Sequence, residues 1–436
     1  MKNFNKKILF SFIIMVLTFT GCRTTPDIYV SSISDAYIDE SGELVLVYSD
    51  GNKDNLGNVV GKDGEDGEDG KDGESADNIT QATSMGLRST VSVICKFTGP
   101  EKTPDGGVYK GEDSKGTQNY YSFGAGVIYE LDKAQGDAFI ITNYHVVHDA
   151  SSFAEGGISD EIRIYLYGGE ISGREIAAEY VGGSEYYDIA VLRVNDSENL
   201  KNSCAEAAKL ADSDKTMLGE TAIAIGNPNG EGISVSYGIV SVDSEYIDIK
   251  SSEGTILSFR VVRVDAAVNS GNSGGGLYNA AGELMGIVNA KLIDSTVENI
   301  GYAIPSNVAR AVADNIIDNC FGTNIKSVQR GMLGITVQVT DSYAEYETES
   351  GRIKIYEKLV IQEVSSGSVS EGKLMAGDII KAVSLHGESS MITRQYKLID
   401  LLLDVRVGDV VTLNVIRDGN EISVDIIMTE KSITAY

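Results

Sequence analysis

Three polar residues of the chain have the types needed for nucleophilic catalysis. They are His145 in TNYHVVHDA, Asp188 in YYDIAVLRV and Ser273 in VNSGNSGGGL. A serine hydroxyl becomes a nucleophile only when an adjacent base takes its proton, and that base needs an acid to fix its tautomer. We therefore expect Ser273 to be a nucleophile, His145 its general base and Asp188 the acid that orients the histidine.

The surroundings of Asp188 and Ser273 support this interpretation. Asp188 stands at the head of an otherwise apolar run, where a buried carboxylate is costly unless it is paired, and a histidine N–H is a suitable partner. Glycines flank Ser273 on both sides, which allows successive backbone N–H groups to converge on an oxyanion. The order His, Asp, Ser along the chain is the order found in chymotrypsin.

A metal site is the alternative chemistry for this histidine. His148 follows His145 by three residues, but a histidine pair without a nearby group of acids is a weak metal signal. We therefore expect no metal and no cofactor.

The chain is long enough for several domains. It has 436 residues, which indicates two or three domains, and its 48 Gly with only 5 Pro favour turns and β-structure. Its formal net charge of −28 argues against a general nucleic-acid binder, which needs basic surface. We expect Cys95, Cys204 and Cys320 to be small buried side chains.

The elements that must position these residues are mostly short strands. From about residue 88, apolar runs of five to ten residues alternate with Gly and Asp turns, a pattern typical of β-barrels or sandwiches. Residues 305–320 have helical periodicity and close this part. Residues 327–430 mix helical and strand patterns over the length of a separate domain.

Several segments together resemble the HtrA/Deg family of trypsin-like serine proteases. They are GAGVIY, TNYHVV, YDIAVLRV, AIGNP, DAAVNSGNSGGGLYNAAGELMGIV and IGYAIPSN. RGMLGI and SVSEGKLMAGDIIKAV resemble the PDZ domain that follows the protease in many members. The resemblance implies a mostly β fold, with a chymotrypsin-like double β-barrel over residues 83–322 and an α+β PDZ domain over residues 327–430.

The resemblance also implies roles for individual residues. The triad would be His145, Asp188 and Ser273, and the backbone N–H groups of Gly271 and Ser273, with Asn272, would form the oxyanion hole. The primary specificity pocket would be lined by Val268, Leu292 and Ile293. This apolar lining implies a small aliphatic residue before the scissile bond, although the same three residues could be ordinary core.

In the PDZ-like part, a loop before the first strand would capture a C-terminal carboxylate with backbone N–H groups. The matching residues are Met332, Leu333, Gly334 and Ile335. The same loop could serve packing alone. Family members commonly form trimers through the protease domain, so the resemblance implies a homotrimer.

The N-terminus has the pattern of a lipoprotein signal peptide over residues 1–21. Three lysines precede a 12-residue apolar run, and Thr20-Gly21-Cys22 resembles a lipobox whose cysteine is acylated. An ordinary secretory signal is the alternative, and both interpretations place the protein outside the cytoplasm.

Residues 22–82 separate this signal from the folded part. Residues 34–51 predict a β-hairpin, and residues 61–73 repeat Gly at every third position with six acids and no Pro. An extended, self-repelling linker is favoured over a short trimeric or ion-binding element.

These observations predict an extracytoplasmic, membrane-anchored, ATP-independent serine endopeptidase. Its partners would be unfolded proteins, C-terminal peptides and a bacterial membrane, with no nucleic acid. Two alternatives remain: a binding protein or holdase whose triad rests inactive, and a surface adhesin that acts through residues 23–82.

Overall fold

A computed structural model of the chain describes residues 32–59, 76–100, 117–169, 173–250, 256–290, 300–322, 327–348 and 351–436. These ranges do not include Cys22, the Gly-repeat segment 61–73, Leu292 or Ile293. The chain divides into two compact units, residues 1–73 and residues 74–436. Within the described ranges, none of the helices combines the length and the hydropathy needed to cross a bilayer.

The first unit contains a three-stranded antiparallel sheet. Its strands are β1 (Ile33–Ile38), β2 (Glu43–Tyr48) and β3 (Lys53–Asn58), in the order β1-β2-β3. The hairpin of β1 and β2 is the one that the alternating pattern predicts. The third strand was not predicted, because its sequence KDNLGN is polar and shows no apolar alternation.

The second unit begins with helix α1 (Ala76–Ser89), which the sequence analysis did not predict and which crosses residue 83. A closed six-stranded barrel follows, with strand order β4-β5-β6-β9-β8-β7. Its strands are β4 (Thr90–Pro100), β5 (Thr117–Asp132), β6 (Asp137–Thr142), β7 (Glu161–Leu166), β8 (Ile176–Ser184) and β9 (Ile189–Val194). Two short helices lie in its connections, α2 (Tyr144–Val147) and α3 (Glu198–Lys201).

A second closed barrel has the strand order β10-β11-β12-β15-β14-β13. Its strands are β10 (Thr221–Gly226), β11 (Ser234–Lys250), β12 (Ile256–Val264), β13 (Gly276–Tyr278), β14 (Leu284–Val288) and β15 (Gly301–Pro305). Helix α4 (Ser306–Cys320) follows and buries one apolar side, as its periodicity predicts. The two barrels confirm the expectation of a mostly β fold. The strands β8 and β13 were not predicted.

The C-terminal part is a mixed α and β domain with its own buried cluster of apolar side chains. Its sheet has the order β17-β18-β19-β21-β22, with β20 on β19, and a separate pair joins β16 to β23. The elements are β16 (Gln329–Gly331), β17 (Ile335–Glu347), β18 (Arg352–Val364), β19 (Ile379–Leu385), β20 (Glu388–Met391), α5 (Gln395–Leu401), β21 (Val410–Arg417), β22 (Asn420–Ile427) and β23 (Ile433–Ala435).

The cysteines differ from the expectation in one case. Cys95 and Cys320 are buried, and burial raises the pKa of the Cys95 thiol to about 12. Cys204 is exposed, so the expectation of three buried cysteines was wrong. It follows α3 in a polar connection, where the local sequence gives no apolar pattern to decide burial.

A buried arginine joins the second barrel to the C-terminal domain. Arg260 of β12 is 3 % exposed, and its guanidinium lies 3.0 Å from Asp214 and 2.9 Å from Asp400 of α5. It also lies 4.0 Å above the ring of Tyr396. Burial raises the pKa of Asp400 to about 7; Arg260 opposes this rise and Asp214 adds to it. The joint therefore holds one buried positive charge between two partly exposed acidic side chains.

This joint predicts a pH-dependent stability. The pKa of Asp400 is higher in the folded chain than in an unfolded one, so its ionisation destabilises the fold as the pH rises from about 4 to about 7. Asp400 should lower the free energy of unfolding of the wild type by roughly 2 kcal/mol between pH 5 and pH 8. We expect Asp400→Asn to remove this contribution, as measured by urea unfolding at the two pH values. Asp341→Asn, which changes an exposed carboxylate of the same domain that does not act on Asp400, is the control. An Asp400→Asn variant with the wild-type difference would contradict the prediction.

Candidate active site

Asp188 lies in the tight turn between β8 and β9. The apolar run that follows it in the sequence forms β9. Its backbone has a φ of 49°, a left-handed conformation that Asp tolerates better than most residues. The side-chain amide of Asn143 donates to the Asp188 carbonyl at 2.8 Å and fixes this turn. The residue is only 2 % exposed, so its carboxylate depends on protein donors instead of water.

His145 supplies two contacts to that carboxylate from helix α2. Its backbone N–H donates to Asp188 Oδ1 at 3.0 Å, and its ring Nδ1 lies 2.6 Å from Asp188 Oδ2. An ionised carboxylate can only accept hydrogen bonds, so the ring proton belongs on Nδ1. The Nε2 atom is then a proton acceptor, which is the state that a general base needs.

Asn289 is a third donor to Asp188, and sequence analysis did not identify it. It lies directly after β14, and its amide Nδ2 donates to Asp188 Oδ2 at 2.7 Å. The side chain is fully buried. A polar residue at the end of the apolar run ELMGIV was the available signal, but its partner lies 101 residues away along the chain.

Ser273 lies in the glycine-rich turn before β13 and is 4 % exposed. Its carbonyl accepts from Ala125 N at 2.8 Å, a bond that ties the turn to β5 of the first barrel. Its Oγ accepts from Ala290 N at 3.2 Å. Between these two described residues, no hydrogen bond joins Ser273 Oγ to the His145 ring. A serine hydroxyl can rotate, and catalytic contacts often tighten only when substrate binds.

The backbone before Ser273 forms a tight turn with Gly271 at a φ of 95°. A Cβ atom on Gly271 would lie 2.1 Å from the Asn227 carbonyl oxygen, so glycine is required there on two grounds. The Asn272 N–H closes the turn by donating to Asn269 O at 3.0 Å. In the described part of the chain, the N–H groups of Gly271 and Ser273 donate to no acceptor. These two donors, and not Asn272, are therefore available to an oxyanion.

The expected specificity pocket is only partly described. Val268 is 8 % exposed and packs in the buried cluster of the second barrel with Val264 and Ala303. The other two expected residues, Leu292 and Ile293, lie outside the described ranges, so the geometry does not distinguish a pocket from core.

The expected carboxylate-binding loop connects β16 to β17. Leu333 is buried, Gly334 has a φ of 70°, and Ile335 begins β17, which is at the edge of its sheet. The Met332 N–H donates to Ser432 O at 2.6 Å and is therefore occupied. No hydrogen bond in the described part of the chain uses the N–H groups of Leu333 and Gly334.

Comparisons with known proteins agree with this geometry. Residues 124–287 match the trypsin-like peptidase domain family. The serine protease Do-like HtrA of Lactococcus lactis subsp. cremoris (strain MG1363) is 30 % identical over 371 residues, which cover 81 % of this chain and 83 % of the relative. The serine protease Do-like HtrA of Bacillus subtilis (strain 168) is 34 % identical over 315 residues, which cover 71 % of this chain and 64 % of the relative.

The chain belongs to the HtrA family of trypsin-like serine proteases. The structure of the HtrA-type protease AlgW with a tripeptide is 26 % identical, covers 80 % of this chain and 96 % of its own, and has a TM-score of 0.51. These likenesses confirm the trypsin-like fold. The chain spans just under two thirds of the length of the two Bacillus subtilis relatives, HtrA and HtrB.

The position of Asn289 predicts that it supports the acid of the triad. Asn289→Leu removes the donor at similar size, and the loss of a hydrogen bond to a charged group costs about 1.5–3 kcal/mol. We expect the reaction of Ser273 with a fluorophosphonate to slow roughly 10- to 100-fold, with the midpoint of its pH profile shifted upward. Asn289→Thr keeps a donor and should recover most of the rate. A wild-type rate and pH profile in Asn289→Leu would show that Asn289 has no such role.

Proposed function

We propose that this protein is an extracytoplasmic, membrane-anchored serine endopeptidase that cleaves unfolded proteins without ATP. The observation that carries the proposal is the contact of 2.6 Å between His145 Nδ1 and the buried carboxylate of Asp188, next to the glycine turn that holds Ser273. Membership of the HtrA family supports the same conclusion.

The first chemical step is acylation of Ser273. His145 Nε2 takes the hydroxyl proton while Oγ attacks the carbonyl carbon of the scissile peptide bond. Asp188 stabilises the imidazolium that forms, and the Gly271 and Ser273 N–H groups donate to the oxyanion of the tetrahedral intermediate. The imidazolium then returns its proton to the leaving amine, and an acyl-enzyme remains.

The second step is hydrolysis of that acyl-enzyme. Water replaces the departed amine, and His145 removes one of its protons while the oxygen attacks the acyl carbon. The second tetrahedral intermediate then collapses, and His145 returns the proton to Ser273 Oγ as the carboxylic acid leaves. As the family resemblance implies, Val268, Leu292 and Ile293 would line the pocket for the residue before the cut. Their apolar side chains favour a small aliphatic residue and disfavour Lys or Arg.

The location and the anchor rest on other observations. A relative of 32 % identity is named a periplasmic serine endoprotease, DegP of Escherichia coli (strain K12), which supports a place outside the cytoplasm. Acylation of Cys22 would hold the protein on a membrane, and the acidic segment 61–73 would act as a spacer. The protease part forms a homotrimer, as the family resemblance implies.

The C-terminal domain is proposed to be a PDZ domain that binds C-terminal peptides. The edge position of β17 supports addition of a peptide strand, and the N–H groups of Leu333 and Gly334 are suited to a terminal carboxylate. Met332 would contribute its half-exposed side chain instead of its occupied N–H.

A resting form of the same triad is the second candidate. The bond from Ala290 N to Ser273 Oγ favours it, because it holds the oxygen atom at the end of β14 while no described hydrogen bond joins Oγ to the His145 ring. A protein locked in this state would bind unfolded chains without cutting them.

Ser273→Ala decides between these two functions. We expect the purified full chain to degrade a carboxymethylated, unfolded protein. In the variant the rate should be at least about 10³-fold lower, because the nucleophile is gone. Ser342→Ala, on an exposed strand of the C-terminal domain, is the matched control. If the wild type and the variant both show only the same slow background cleavage, the result would support the binding-protein function and contradict the protease function.

A paired peptide measurement tests the C-terminal domain. Peptides from a random library with free C-termini should bind the Ser273→Ala chain, while the same peptides with amidated C-termini should bind at least about tenfold more weakly, because a charge-assisted contact is lost. Fluorescence anisotropy gives both affinities. Equal affinities would exclude carboxylate capture by Leu333 and Gly334.

A further inference from the structure

A cavity of about 840 Å³ lies between helix α1 and the first barrel, and the mechanism above leaves it unused. Its volume falls within the range of roughly 300–1,000 Å³ that is typical of ligand pockets. Its walls come from α1, from the turn that follows β7 and from the connection that follows α3. None of the triad residues is among its described lining residues, so it is a site separate from the catalytic one.

Helix α1 presents one side to this cavity and another side to the second barrel. The α1 residues on the cavity side recur at intervals of three and four, which places them on one stripe of the helix. They are Gln81, Ser84, Met85 and Arg88. On the other side, a Cβ atom on Gly86 would lie 2.6 Å from Ile225 Cδ1. The second barrel therefore holds this wall of the cavity in place.

Two bonds fix the opposite wall to the end of α1. Glu206 N donates to Arg88 O at 3.0 Å, and the Arg88 guanidinium forms an ion pair with the Glu206 carboxylate. Both bonds join the last turn of α1 to the segment that follows Cys204. Because both walls are held by contacts within the protein, the cavity is preformed.

Apolar groups contribute more of the cavity surface than polar groups do. The apolar side chains are those of Met85, Leu87, Leu166, Tyr167 and Ala205. Tyr167 is 59 % exposed, so much of its ring is open to an occupant. The hydrophobic effect therefore favours an occupant with a sizeable apolar body.

Most of the hydroxyl and amide side chains of the lining are already engaged within the protein. The hydroxyl groups of Ser84 and Ser203 donate to backbone carbonyl oxygens at 2.9 and 2.8 Å. The amide groups of Asn199 and Asn202 do the same at 3.2 and 3.0 Å. A ligand with many hydroxyl groups gains little from donors that are already in use, so the lining disfavours a sugar-like molecule.

The charged side chains of the lining are positive, although the chain as a whole has a net charge of −28. Arg88 and Arg174 line the cavity, and no Asp or Glu is among its described lining residues. Arg88 is paired with Glu206, whereas Arg174 forms no ion pair in the described part of the chain. The adjacent Glu175 pairs with Arg163 instead. Arg174 is therefore the group that attracts an anion.

We propose that this cavity binds an amphipathic carboxylate with an alkyl chain, which is the chemistry of a fatty acid. The alkyl chain lies on the apolar surface between α1 and the turn after β7, and the carboxylate pairs with Arg174. A guanidinium holds a carboxylate through two parallel N–H bonds, which suits this end of the ligand. The inference is independent of the proposed peptidase activity.

Titration calorimetry of the purified full chain with dodecanoate, below its micellar concentration, tests the proposal. We expect one dodecanoate to bind per chain. Dodecanol has the same alkyl chain and no charge, so it should bind at least about tenfold more weakly. Octanoate should also bind at least about tenfold more weakly, because its shorter chain buries less apolar surface.

Variants at Arg174 separate the charge from the apolar contact. Arg174→Gln should lower the affinity for dodecanoate at least about tenfold and leave the affinity for dodecanol unchanged. Arg174→Lys keeps the charge and should recover part of the affinity. Arg352→Gln, which changes an exposed arginine of β18 in the C-terminal domain, is the matched control and should bind as the wild type does.

Cys204 reports where the ligand binds. Its side chain is exposed and lines the cavity, whereas Cys95 and Cys320 are buried. Dodecanoate should slow the alkylation of Cys204 by iodoacetamide several-fold, as measured by mass spectrometry of the peptide that contains it. Dodecyltrimethylammonium, which has the same alkyl chain and a positive head, should not.

The inference is overturned if dodecanoate does not bind, or if dodecanoate and dodecyltrimethylammonium bind equally well. It is also overturned if Arg174→Gln binds dodecanoate as tightly as the wild type. Binding that leaves the alkylation of Cys204 unchanged would place the ligand on another surface and would contradict the proposed site.

Discussion

The burial of one carboxylate organises the catalytic region of this protein. Asp188 is 2 % exposed, and an unpaired charge there would destabilise the fold by several kcal/mol. Three of its donors are the His145 N–H, the His145 ring and the Asn289 amide, and the two residues come from separate parts of the chain. The requirement to satisfy this carboxylate therefore also sets the orientation and the tautomer of the general base. Stability and catalysis depend on the same hydrogen bonds.

The division between two barrels explains why the site can be precise and still adjustable. His145 and Asp188 belong to connections of the first barrel, while Ser273 lies in the second. The bond from Ala125 N to Ser273 O crosses between them at 2.8 Å. Each half is fixed by its own closed set of strands, so a small movement at their junction changes the distance from base to nucleophile without disturbing either core.

The sequence allowed prediction of features that depend on local pattern. The strands around the triad follow from short apolar runs, and α4 follows from its helical periodicity. Asn289 could not be found in this way, because its importance comes from a partner 101 residues away. The same holds for Arg260, which looks like any strand arginine until α5 covers it. Helix α1 was missed because its polar sequence resembles the linker before it, and β13 because three residues are too few for a periodicity.

The end of β14 controls both halves of the triad through consecutive residues. Asn289 donates its side-chain amide to Asp188, and Ala290 donates its backbone N–H to Ser273 Oγ. A shift of this segment would therefore act on the acid and on the nucleophile at once. The two bonds differ in consequence: the first supports the base, whereas the second fixes the position of Oγ and leaves its proton available. A change that breaks the bond from Ala290 and keeps that from Asn289 would release Ser273 to His145 with the acid still in place.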